Sequence, residues 1–210
     1  MQRENLSPAQ VKSSLDVARR ELGSDYERAQ LLIGLANRYE LDPGMRTAYL
    51  NVASDIRSDY EHRRVLGHLL QKSNVGAADI AMILRSASTI RSDYEKAQLL
   101  TSLAKYDLGD PTLQRAYLEA TSGISSDYEH RRALMALLKK EKLTEAGVDL
   151  VLADAPNIQS DYELSQLLVH IAENQTLTDR QKESFRKAMD SISSQYEFGR
   201  VATVLLKKQR

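Results

Sequence analysis

The chain has 210 residues, with 29 basic and 29 acidic side chains, no Cys and no Trp. Zero formal charge argues against a nucleic-acid binder, which carries an excess of Lys and Arg, and the lack of Cys removes disulfides, thiolate zinc sites and Cys nucleophiles. An apolar content of 42% supports a continuous core, and no run approaches the roughly 20 apolar residues of a membrane span.

The predicted elements follow one another in a fixed rhythm. Residues 1–6 form a short N-terminal extension without the apolar stretch of a signal peptide. Ser7-Pro8 then opens a helix, a capping residue ahead of a proline suited to the first helical position. Its apolar stripe closes on Leu22, and Ser24-Asp25-Tyr26-Glu27 opens a second helix carrying Leu31, Leu32, Leu35 and Ala36. Asp42-Pro43 starts the next pair, with Met45, Tyr49, Val52 and Ile56 on one face. Ser58-Asp59-Tyr60-Glu61 follows, with Val65, Leu66, Leu69 and Leu70. In the third pair Gly76 falls at a helix boundary, Ile90 closes the first stripe, and the tetrapeptide returns at Ser92. Asp110-Pro111 begins the fourth, with Leu113, Tyr117, Ala120 and Ile124, before Ser126-Asp127-Tyr128-Glu129. Thr144 begins the fifth, where Pro156 predicts an early stop to the first helix ahead of Ile158 and Ser160. Thr178 begins the sixth, whose motif is Ser194-Gln195-Tyr196-Glu197. Its last helix, read as Tyr196 to Gln209, is expected to expose Phe198, Val201 and Leu205 unless something covers them.

The motif starts, at Ser24, Ser58, Ser92, Ser126, Ser160 and Ser194, keep one constant spacing without a single insertion. The units are 7–40, 41–74, 75–108, 109–142, 143–176 and 177–210, read as one domain over 7–210. Ser-x-x-Glu is a capping box, in which the Ser hydroxyl accepts from the N–H three residues on and the Glu carboxylate accepts from the Ser N–H. Asp and Glu in the first turn also complement the helix dipole. A single hairpin of this kind cannot bury both stripes, whereas a stack can. The predicted fold is therefore all-α: an α-solenoid, a superhelical stack of six two-helix hairpins and twelve helices. A finer alternation runs through it. The residue six places after each motif Ser reads Gln30, Arg64, Gln98, Arg132, Gln166, Arg200, so the deeper period is a 68-residue pair of hairpins.

The 34-residue helix-turn-helix unit resembles tetratricopeptide repeats. Ser92-Asp93-Tyr94-Glu95-Lys96-Ala97 is similar to that family's second-helix opening and Leu41-Asp42-Pro43 to its inter-repeat turn. The family's Trp is missing, and its close-packing Gly is replaced by Asn51, Arg85, Glu119 and Ala153. Its small second-helix residue is Ala29 and Ala97 but Arg63 and Arg131 in alternate units, so HEAT-like packing is the rival. The Ser-Asp-Tyr-Glu tandem is also similar to repeats of bacterial proteins, including segments beside antirepressor-type membrane metallopeptidases. No His-Glu-x-x-His occurs here, so the resemblance implies no activity.

Candidate partner-binding residues are the repeated Tyr26, Tyr60, Tyr94, Tyr128, Tyr162 and Tyr196, with Arg64, Arg132 and Arg200 four residues further on where Arg occurs. The functional reading is an aromatic-basic strip for an extended or acidic protein or peptide. The structural reading, which recurrence at every unit favours, has each Tyr packing on the next hairpin and stacking on Arg or Gln. Arg46, Arg85 and Arg115 are further candidates on the variable outward positions of the first helices. Arg63 and Arg131 are expected to pair locally with Asp59 and Asp127, four residues earlier. The four His residues show no i,i+4 pair, so no metal, cofactor or catalytic role is expected. The predicted function is a non-catalytic protein-protein interaction or scaffolding module. The alternative is a structural or regulatory soluble segment of a larger bacterial protein, free or membrane-attached, in the cytoplasm or the periplasm.

Overall fold

The computed structural model describes residues 6–72, 74–139 and 143–208. Most of the predicted extension, residues 1–5, and the end of the last repeat, 209–210, lie outside the described residues. The described residues form twelve α-helices and no strand. They are α1 (Pro8–Glu21), α2 (Asp25–Arg38), α3 (Pro43–Ala53), α4 (Asp59–Lys72), α5 (Ala77–Ala87), α6 (Asp93–Leu103), α7 (Pro111–Thr121), α8 (Asp127–Leu138), α9 (Glu145–Asp154), α10 (Asp161–Asn174), α11 (Asp179–Met189) and α12 (Gln195–Lys208). They pair as six hairpins, the α-solenoid expected from the repeat. A 3-10 turn at Ala155–Asn157 follows α9, where Pro156 ends the helix early as its position predicts.

The chain divides into two compact units, Met1–Leu99 and Leu100–Arg210. In the first, α1, α3 and α5 pack in series as one layer, and α2 against α4 as the other. In the second, α7, α9 and α11 form one layer and α8, α10 and α12 the other. The cores follow the predicted stripes: Met45, Tyr49, Val52, Ile56, Val65, Leu66, Leu69 and Leu70 are all buried, as are Leu113, Tyr117, Ala120 and Ile124. Each fully buried Leu or Ile contributes about 1.5–3 kcal/mol of transfer free energy. Leu31 and Leu35 stay half-buried, at the open side of the first hairpin. Val201, expected to be exposed on the last helix, is instead fully buried within α12, which packs against α10. Phe198 remains exposed, as expected, and Leu205 is half-buried.

Buried phenols anchor the hairpins from within. Tyr49 Oη donates to the Val65 carbonyl at 3.1 Å, and one double repeat later Tyr117 Oη donates to the Ala133 carbonyl at 2.9 Å. Burial pushes both phenols well above the usual tyrosine pKa.

The second-helix caps correct one expectation. Ser24, Ser58, Ser92, Ser126, Ser160 and Ser194 each accept, through Oγ, from the N–H of the Glu three residues on, at 3.4 Å in every copy. The predicted return bond from the Glu does not fill the Ser N–H in the four turns described next. There the carboxylate of the previous repeat's motif Asp accepts two consecutive backbone N–H groups. Asp25 takes Arg57 and Ser58 at 3.0 and 2.8 Å, and Asp59 takes Arg91 and Ser92 at 3.1 and 2.9 Å. Asp127 takes Gln159 and Ser160 at 2.9 and 2.8 Å, and Asp161 takes Ser193 and Ser194 at 3.1 and 2.7 Å. A carboxylate accepting two backbone N–H groups is a stronger partner than a neutral acceptor, and it ties one hairpin to the next. Reciprocal capping boxes occur instead on first helices, Ser7 with Gln10 and Thr178 with Gln181.

Candidate partner-binding edge

With its Asp committed to the next turn and its Glu drawn against an arginine, buried in Glu61, Glu129 and Glu197, the motif leaves Tyr on the second-helix surface. Tyr26 is 59% exposed, Tyr60, Tyr94, Tyr128 and Tyr162 lie at 52–53%, and Tyr196 at 77%. They hold the same position at the start of α2, α4, α6, α8, α10 and α12, so each compact unit presents three along the edge of its second-helix layer. The rings are thus not packed away against the next hairpin, although the stacking that the structural reading expects forms on Tyr60, Tyr128 and Tyr162, and Gln98 Nε2 donates to Tyr94 Oη at 2.8 Å. The second residue of a helix on this layer sits over the turn, with part of its ring open to solvent.

The cations around these rings are arranged by helical geometry. The Arg63 guanidinium lies 5.3 Å from the Tyr60 ring centroid and that of Arg131 lies 5.5 Å from Tyr128, both at i+3. The i+4 positions were the expected partners. Arg64 and Arg132 instead turn back to Glu61 and Glu129 at 2.8 and 2.6 Å. Arg200 pairs with Glu197 at 3.3 Å and stacks on Tyr162 of the preceding repeat at 5.7 Å. The predicted local pairs of Arg63 with Asp59 and Arg131 with Asp127 do not form. Arg63 reaches Glu95 at 2.6 Å and Arg131 reaches Glu163, because the aspartates are held by the backbone of the next turn. That reach accommodates a large side chain where the alternate units carry buried Ala29 and Ala97.

Of the first-helix candidates, Arg85 and Arg115 are exposed. Arg46 is half-buried and bridges repeats, its Nε on Asp79 at 2.8 Å and an Nη on the Leu41 carbonyl at 2.7 Å. Asp79 also accepts from the Gly76 N–H at 3.0 Å, which fixes the start of α5.

Two equivalent histidines join second helices to the next first helix. His62 Nε2 lies 2.7 Å from Ser86 Oγ, and His130 Nε2 lies 2.7 Å from Asp154 Oδ2. Both are 2% exposed. Burial lowers the His62 pKa despite the nearby Asp59 and Asp25. Burial works to raise the Asp154 pKa, but the hydrogen bond and charge of His130, with Asn157 and Thr121, hold it below the usual range. No cluster of three or more His, Asp or Glu that could hold a metal occurs among the described residues. No helix among them is long and apolar enough to cross a membrane.

No protein-family model matches the chain, and neither a curated protein nor a solved structure matches it.

Proposed function

We propose that this chain is a non-catalytic protein-binding module whose second-helix edge, lined by tyrosines and arginines, contacts an extended partner. The carrying observation is that every motif tyrosine is more than half exposed, while the Ser and Asp of the same motif cap and clamp the fold. Rigid aromatic side chains lose little conformational entropy on binding, and Tyr and Arg are over-represented among the residues that dominate interface energetics. Repeated copies of a weak contact gain strength by acting together on one extended partner. The constant 34-residue period supports a tetratricopeptide-like reading over HEAT-like repeats, whose units run to roughly 40–47 residues.

Affinity capture tests the reading. The wild-type chain is expected to recover a defined protein that a Tyr60→Ala/Tyr94→Ala/Tyr128→Ala/Tyr162→Ala variant fails to retain. Recovery of the same proteins by both chains would reject the edge as the binding surface.

A further inference from the structure

The 68-residue duplication supplies an internal comparison: positions the fold requires are kept between copies, and positions free of the fold can diverge. Within the second compact unit, α8 and the end of α6 enclose a groove of about 570 Å³ lined by Thr101, Ala104, Lys105, Tyr128, Arg131, Arg132, Met135, Ala136 and Lys139. The spacing is helical on both walls. Positions 101, 104 and 105 share one face, and 128, 131, 132, 135, 136 and 139 share another. Among the described residues no acidic side chain lines it, and four cations do. Arg131 and Arg132 are balanced by Glu163 and Glu129. Lys105 and Lys139 are exposed and have no ion-pair partner among the described residues. Thr101 adds a buried hydroxyl oxygen without a hydrogen-bond partner among the described residues.

The corresponding face of the first unit keeps the scaffold and loses the charge. Tyr60, Arg63 and Arg64 match Tyr128, Arg131 and Arg132, but Asn37 stands for Lys105 and Gln71 for Lys139. His68 stands for Ala136, and His68 Nε2 lies 3.2 Å from Asn37 Oδ1, bridging the two walls. The third copy carries Glu173 at the Lys105 position. Neutral, basic and acidic residues thus occupy one place in the same hairpin frame, so the frame does not demand lysine there. Helix-dipole complementarity does not demand it either, since Arg38 and Lys72 meet that need in the last turns of α2 and α4 without standing at the groove positions.

We infer that the α6–α8 groove is a docking site for an extended acidic peptide segment, with carboxylates on Lys105 and Lys139 and apolar side chains on Tyr128, Met135 and Ala104. This rests on the reading of the chain as a protein-binding module and names the partner chemistry. From position 128 to 139 the helix rises about 16 Å, the span of about five residues of extended chain. Charge complementarity selects the occupant: the groove has a surplus of two cations and an apolar floor, which suits alternating Glu and Leu.

Fluorescence anisotropy with a fluorescein-labelled Glu-Leu-Glu-Leu-Glu-Leu peptide tests the inference on the full chain. Binding is expected to weaken as salt rises. It should fall about tenfold in Lys105→Asn/Lys139→Gln, whose new residues already stand in the first copy and so should fold, as circular dichroism would confirm. Asn37→Lys/Gly67→Met/His68→Ala/Gln71→Lys, which also restores the Met135 counterpart, is expected to add a second site of similar affinity. Equal affinity for the Lys-for-Glu peptide, unchanged binding in the double variant, or full displacement by a single-stranded oligonucleotide at equal charge would overturn it. If the peptide fails to bind while the tyrosine variant still loses its captured partner, the groove is rejected and the protein-binding reading stands. If both assays show no difference, both readings fall.

Discussion

Within the repeated tetrapeptide, adjacent residues carry separate tasks. Ser closes its own helix, Asp closes the turn of the next hairpin, Glu meets an arginine, and Tyr faces outward. The sixth copy departs from the motif at this one residue. Gln195 stands where Asp127 and Asp161 provide clamping carboxylates, and an amide offers a single oxygen and no charge. Asp127→Ala removes the acceptor from two N–H groups at once, and a loss of roughly 1–3 kcal/mol is expected. Urea unfolding would measure it, with Gln195→Ala as the control, expected to be near neutral. Equal losses in the two variants would contradict the clamp. The sequence showed that Ser and Glu sit at capping distance. It did not show that the Asp of the preceding repeat competes for the same N–H, because local spacing carries no information about the neighbouring repeat.

Helix contacts reveal what 68-residue periodicity does to the interfaces. The hairpin order, the buried stripes and the early stop at Pro156 were legible, since all three follow from apolar spacing and proline chemistry. The partners of Arg63 and Arg131 were not, since each crosses to the next repeat. Nor was the groove legible: Lys105 and Lys139 lie one full repeat apart at helix ends and meet only through packing. The His62–Ser86 contact between α4 and α5 gives these helices a pH dependence. Burial lowers the His62 pKa from 6.5, and it also lowers those of His68 and His170. The unfolded chain therefore binds more protons than the folded one once the pH drops through about 6.5, so stability falls from there toward the lowered folded values. Unfolding free energies measured between pH 7.5 and 5 should decline, with a shallower decline in His62→Gln. Identical slopes would show that His62 is not titrating in this window.

At the scale of the molecule, the proposed function divides the repeats into a part that folds and a part left for recognition. In a stack, each hairpin depends on its neighbours, so residues that join hairpins recur in every copy. Recurrence alone therefore favoured a structural role for tyrosine; the six rings are more than half exposed, and arginines stack on Tyr60, Tyr128 and Tyr162. An edge kept for recognition is one the fold can lose without losing stability. Urea unfolding of the six single Tyr→Ala variants at positions 26, 60, 94, 128, 162 and 196 tests this most directly. Each variant is expected to lie within about 1 kcal/mol of the wild type, the scale of an exposed cation–π contact. Losses of about 3 kcal/mol or more, as expected when a packed aromatic is truncated to Ala, would contradict it.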